Sequence, residues 1–323
     1  MEGIKRIGVL TSGGDAPGMN AALRAVVRTG IYRGFQVYGI RRGYVGLLNG
    51  EMEEMNLRSV SDIMNRGGTI LQTSRCKEFT TEDGIHRAAR MCDVFKLDGL
   101  VIIGGDGSFR GARELSKHGV PVIGIPATID NDISSTDYTI GFDTALNTVK
   151  DAVDKIKDTA SSHERCSVVE VMGRDAGYIA LYCAIADGAE VCLLPEKKFD
   201  IETDVIKPIL GCRNRGKHHY VVIVAEGVGG TMDIARQIED ITGISTTVTI
   251  LGHIQRGGSP TVRDRVTASL MGAKATECLA QGEINKIIAE RDDKYVAIDI
   301  NEALEMSKSL DDKMIETSKI LAL

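Results

Sequence analysis

Eight apolar, β-branched runs, each followed by residues at helical spacing, constrain this chain more than any other feature of its sequence. They are RIGVLTS, QVYGIR, GLVIIGG, PVIGIPA, CSVVEVMG, EVCLLPE, YVVIVAEG and TVTILG. Between them lie helical stretches such as Thr144 to Ala160, where Leu146, Val149, Val153 and Ile156 recur three and four residues apart. Strand and helix in alternation imply right-handed βαβ units and largely parallel sheets. Near-continuous apolar strands fit sheets covered by helices on both faces. With 323 residues, and more strands than one mononucleotide-binding unit needs, the chain is expected to form two α/β lobes with a cleft between them.

Charge and cysteine usage narrow the function classes. A net charge of -6 does not suit a nucleic-acid or anionic-membrane binder, but leaves room for a local cationic pocket that takes a phosphorylated small molecule. The 7 cysteines are scattered and form no Cys-x-x-Cys, which reads as reduced thiols and argues against a structural zinc site. The apolar core of the opening MEGIKRIGVLTSGG is far shorter than that of a signal peptide, and no apolar run reaches membrane-spanning length. The expectation is a cytoplasmic protein with no nucleic-acid and no membrane partner.

Polar and glycine-rich segments fall where strands end, which is where open α/β sheets bind ligands. In TSGGDAPGMNAALRAVV, Gly13 and Gly14 suit either backbone approach to a phosphate beside a helix N-terminus or simply a tight turn. The segment lacks the Lys-Ser/Thr ending of a Walker A motif. In GLVIIGGDGSFRGA, Gly105 and Gly107 flank Asp106, a carboxylate suited to Mg²⁺, which prefers one or two carboxylates together with phosphate oxygens, and Ser108 can donate a hydrogen bond. PATIDND places Asp130 and Asp132 just after an apolar run. One general base and one organising carboxylate would explain the pair, and an Asx-turn or N-cap use remains open for either. Arg75, Arg165, Arg174 and Arg256 suit bidentate phosphate contacts, although a lone arginine is more often a solvated charge, and His253 alone is more often structural.

In this order, TSGGDAPGMNAA, IGGDGS, TIDND, GFDTALNTV, EVMGR and LGHIQRGGSP resemble the bacterial-type ATP-dependent 6-phosphofructokinases, from near Ile4 to near Ala280. The resemblance implies two Rossmann-like lobes with an active-site cleft between them. Residues 1–140 with 254–304 would bind ATP, and 141–253 with 305–323 would bind the sugar phosphate. It implies a homotetramer that phosphorylates fructose 6-phosphate at the 1-hydroxyl, with ATP as co-substrate and Mg²⁺ as cofactor. By the same resemblance, Gly14, Arg75, Cys76, Gly105, Asp106, Gly107 and Ser108 would hold ATP, with Asp106 on Mg²⁺. Asp130 would be the general base, with Thr128, Arg75 and Arg174 assisting the transfer. Thr128, Ile129, Asp130, Met172, Gly173, Arg174, Glu226, His253 and Arg256 would hold the sugar phosphate, and Arg165 would reach in from a neighbouring subunit. An effector site would involve Arg24, Arg28, Lys157, Glu190, Arg215 and Lys217.

Three positions depart from the pattern. Thr247 stands where the family has its second sugar-phosphate arginine from the neighbouring subunit, and Leu57 and Lys157 stand where it has effector-site arginines. Pyrophosphate-dependent relatives tend to carry Asp where this chain has Gly107 and Lys where it has Ala127, so ATP is the expected donor. A pyrophosphate-dependent phosphofructokinase, or a weakly active or regulatory paralogue, is the alternative reading.

Overall fold

A computed structural model describes residues 4–322. Of these, one unit takes the chain up to Ile129, Ile133–Thr144 and Arg256–Lys308; the other takes Asp130–Asp132, Ala145–Gln255 and the chain from Ser309. In the first unit the chain alternates β1 (Arg6–Ser12), α1 (Met19–Tyr32), β2 (Gln36–Ile40), α2 (Tyr44–Asn49), β3 (Met52–Met55), α3 (Glu82–Val94), β4 (Gly99–Gly104), α4 (Asp106–Lys117) and β5 (Val122–Pro126). Helix α5 (Phe142–His163) starts there and continues into the second unit. The second unit then runs through β6 (Cys166–Val171), α6 (Tyr178–Asp187), β7 (Val191–Leu193), α7 (Lys207–Asn214), β8 (Tyr220–Ala225), α8 (Thr231–Thr242) and β9 (Thr246–Ile250). The chain returns to the first unit with α9 (Val262–Ala280), β10 (Lys286–Arg291), β11 (Lys294–Asp299) and α10 (Ile300–Glu305), and ends in the second with α11 (Asp312–Leu321).

The sheet of the first unit is ordered β11-β10-β5-β4-β1-β2-β3. Its central strands are parallel, and only the outer β3 and β11 pair antiparallel with their neighbours. Strands β4 and β5 are buried along their whole length, as the continuous apolar runs require of strands covered on both faces. The sheet of the second unit, β7-β8-β6-β9, is parallel throughout. All eight expected strands form, and the sheets are largely parallel as expected.

The three further strands are β3, β10 and β11. β3 is an edge strand with two exposed glutamates, a pattern that reads as a loop and that protects a sheet edge from further pairing. α5 begins at Phe142, two residues ahead of the helical periodicity, because the carboxylate of Asp264 in α9 caps its first turn. That carboxylate is fully buried and accepts hydrogen bonds from Gly141 N and Thr144 N, both at 2.8 Å.

Candidate active site

In the sheet of the first unit the strand order turns between β1 and β4: from β1 the chain moves one way to β2, and β4 lies on the other side. Ligands of open α/β sheets bind at such a point, outside the carboxyl ends of the strands. Both glycine-rich segments fall there, Gly13–Gly14 after β1 and Gly104–Gly105 at the end of β4. Gly14 lies so close to Arg256 that an added Cβ would sit 2.6 Å from its Nη1, so a side chain there would have to push the guanidinium aside. Arg256 Nη1 also donates to Asp15 O at 3.3 Å.

Gly105 precedes α4 without a side-chain cap, which leaves the first backbone N–H groups of that helix available to an anion. A Cβ at Gly105 or Gly107 would meet nothing within 4 Å, so there is room for a phosphate chain to pass. Asp106 opens α4 and pairs with Arg110 at 2.7 Å, and Ser108 is buried one turn into the helix. Burial pushes the pKa of the Tyr44 hydroxyl up and keeps it a donor, which it gives to Ser108 O at 2.6 Å. Thr73 Oγ1 donates to Gly13 O at 2.7 Å, so the loop that carries Arg75 and Cys76 is tied to the end of β1. Arg75 itself is exposed, and Cys76 packs partly against the core. Thr128 is buried and its carbonyl accepts from Thr139 Oγ1 at 2.8 Å; the side chain of Ile129 is wholly buried, so only its backbone can meet a ligand.

In the second unit the carboxyl ends of β6 and β8 bring Met172, Gly173, Arg174 and Glu226 together. Glu226 Oε1 accepts from Arg174 N at 2.7 Å and from Gly173 N at 3.2 Å. These bonds secure a turn in which Gly173 has φ 140° and Arg174 has φ 53°, a left-handed conformation costly for an arginine. The turn presents Arg174 Nε at 3.6 Å from Asp130 Oδ2, and Asp130 is 1% exposed. Asn131 beside it also lies in the left-handed region, φ 52°, which asparagine tolerates better than most residues. Met172 N donates to Gln255 Oε1 at 3.1 Å, and the neighbouring His253 is exposed.

Other expected site residues lie elsewhere. Arg165 precedes β6, and Thr247 lies in β9, where Ser167 faces it across the ladder. Both are therefore at the amino ends of their strands, and Arg165 is eight residues, or roughly 25 Å of extended chain, from Gly173. At the amino ends of β7 and β8, buried Glu190 pairs with Lys217 and accepts from Val221 N at 2.6 Å, while Lys157 donates to Asp187 O at 2.7 Å. Arg215 Nη2 contacts Cys212 Sγ at 3.2 Å. Arg24 and Arg28 lie one turn apart on α1 in the first unit; burial, and then the charge of Arg28, lowers the pKa of Arg24.

Residues 6–279 match the family model described as PFK: Phosphofructokinase. The chain belongs to the phosphofructokinase family. Among curated phosphofructokinases, an ATP-dependent 6-phosphofructokinase 1 of Clostridium perfringens is 55% identical over 318 residues, 98% of this chain and 99% of the relative. An ATP-dependent 6-phosphofructokinase of Clostridium botulinum strain Hall is 55% identical over 319 residues, 99% of this chain and 100% of the relative. Among solved phosphofructokinases, that of Saccharomyces cerevisiae superposes with a TM-score of 0.88 at 34% identity; the match covers 98% of this chain but only 48% of the yeast chain. A pyrophosphate-dependent phosphofructokinase from Marinobacter aquaeolei reaches a TM-score of 0.86 at 22% identity over 95% of this chain and 86% of its own, a likeness of fold.

Within this family fold, the supports that local sequence did not single out are Gln255, Tyr44, Thr73 and Asp264. Each acts on backbone groups far along the chain, so its role leaves no local spacing to read. Only Gln255 carried a signal, by standing inside LGHIQRGGSP.

Proposed function

We propose that this chain transfers a phosphoryl group from MgATP to the 1-hydroxyl of fructose 6-phosphate, giving fructose 1,6-bisphosphate and ADP. The observation that carries the reading is the buried Asp130 carboxylate 3.6 Å from Arg174 Nε. Asp130 takes the hydroxyl proton as the phosphoryl group arrives, and Arg174, with Arg75, steadies the charge on the transferring group. Such a transfer asks the protein chiefly for positioning and electrostatic stabilisation. Glu226 supplies part of the positioning by fixing the Gly173–Arg174 turn.

ATP is held by Gly14, Arg75, Cys76, Gly105, Gly107 and Ser108, and open space at Gly105 and Gly107 supports this. Asp106, one carboxylate beside an open helix N-terminus, fits a Mg²⁺ that takes its other ligands from phosphate oxygens and water. When bound, the ion neutralises charge on the phosphates. The names of the 55%-identical relatives favour ATP over pyrophosphate as donor. Met172, Gly173, Glu226, His253 and Arg256 hold the sugar phosphate.

The position of Arg165 and Thr247 at the opposite strand ends supports their serving the site of a neighbouring copy in a homotetramer. Arg24 and Arg28, with Lys157, Glu190, Arg215 and Lys217, form the proposed effector group. Among the described residues no helix is long and apolar enough to cross a membrane, and glycolytic work in the cytoplasm completes the proposal. Phosphorus NMR of the purified chain with fructose 6-phosphate and MgATP tests it. A sugar bisphosphate appearing with ADP supports the reading; ADP and free phosphate alone would mean that water, not the sugar, is the acceptor.

A further inference from the structure

A cavity of about 510 Å³ lies within the second unit, beside β7, an edge strand of its sheet. α7 and the chain leading into it form one wall, and α11 supplies Ile315, Ser318 and Lys319 to another. Two contacts keep α11 in place: Lys197 pairs with Asp312 at 2.8 Å, and Cys212 Sγ approaches Ala322 O at 3.5 Å. The volume is that of a small-molecule site.

The lining combines two chemistries. Val191, Leu193, Leu194, Phe199, Pro208 and Ile315 give it an apolar body. Lys198, Lys207, Arg215 and Lys319 also line it, and none of these four forms an ion pair among the described residues. Of the two carboxylates in the lining, Glu190 is already paired with Lys217, which leaves Asp204 as the only opposing charge not in an ion pair among the described residues. A solvated polar cleft would not need the apolar wall, and a core void would not carry four cations.

We propose that this cavity binds a small amphiphilic anion, an aliphatic body ending in a carboxylate or phosphate, with the chain against the β7 wall and the head among the lysines. Lysine stems can lie along the apolar surface while their ammonium groups meet the anion. The site differs from the proposed effector group: it shares Glu190 and Arg215 with it, but Arg24, Arg28, Lys157 and Lys217 are not in its lining. It does not depend on the phosphoryl-transfer reading, and it gives the C-terminal helix a task.

Isothermal titration of the full chain with octanoate, octyl phosphate and octanol tests the proposal. The two anions should bind saturably, one per chain, and octanol at least about ten-fold more weakly, since charge-assisted contacts are lost. Gly211→Leu is the blocking variant: Gly211 lines the cavity, and an added Cβ meets only Arg215 Nη1 at 3.6 Å, so the longer side chain fills the space without a backbone clash. It should abolish binding of both anions, and Lys319→Glu should weaken both by about ten-fold or more. Arg24→Ala should leave both unchanged. Non-saturable uptake, equal binding of octanol, unaltered binding in Gly211→Leu, or loss of binding in Arg24→Ala would each overturn the assignment.

Discussion

At the scale of single residues, the chemistry concentrates on a carboxylate and the turn opposite it. Asp130 is buried, and Arg174 approaches it to 3.6 Å from a turn whose unfavourable φ is held by Glu226. Replacing Asp130 by serine should leave a folded protein whose kcat falls about 10²–10⁴-fold, the usual cost of losing a general base. ATP affinity should barely change, because the nucleotide candidates belong to the other unit. Steady-state rates and nucleotide titration together check this, and near-normal turnover would remove Asp130 from the role.

At the scale of elements, the strand ends divide the labour of the second unit. The carboxyl ends of β6 and β8 carry Arg174 and Glu226; the amino ends carry Arg165, Thr247 and the Glu190–Lys217 pair. Thr247 is exposed on β9 and makes only a 3.5 Å contact to Cys166 O, so an arginine fits there without disturbing the strand. Thr247→Arg should lower KM for fructose 6-phosphate by roughly ten- to a hundred-fold, the worth of one charge-assisted hydrogen bond, and leave KM for ATP nearly unchanged. An unchanged sugar KM would show that another cation already fills the place. At the end of α6, burial and then the charge of Asp154 raise the pKa of Asp187 from 3.8 to about 6, while Lys157 and Lys150 pull it down. The folded chain therefore keeps a proton on Asp187 that the unfolded chain has lost within that window, so stability from this group is present at acid pH and lost as pH rises through about 6. Urea unfolding midpoints across the window should slope less in Asp187→Asn; an identical slope would contradict the assignment. The eight expected strands were legible because β-branched apolar runs of that length, each followed by helical spacing, leave few alternatives to a parallel strand of an α/β sheet. β3 was not, because exposed Glu53 and Glu54 break the apolar pattern, and the β10–β11 hairpin beyond Gln281 was not, because β10 joins the sheet beside β5, a partner distant in sequence. The glycine-bearing strand ends were legible because their signal is local; the role of Asp264, which braces backbone far away in sequence, left none.

For the whole molecule, α9 carries Val262, Val266 and Leu270 on successive turns at 78%, 50% and 47% exposure, an apolar stripe on an otherwise polar outer face. In the proposed homotetramer such a stripe is covered. Val266→Glu should then lower the mass measured by light scattering, and sugar affinity should fall with it while ATP still binds, since Arg165 would no longer reach a neighbour; an unchanged mass would place the contact elsewhere. The most direct measurement gives the purified chain fructose 6-phosphate and Mg²⁺ with either ATP or pyrophosphate and follows fructose 1,6-bisphosphate. Rapid formation with ATP and little with pyrophosphate is the result expected from open space at Gly107; rapid formation with pyrophosphate and none with ATP would contradict it.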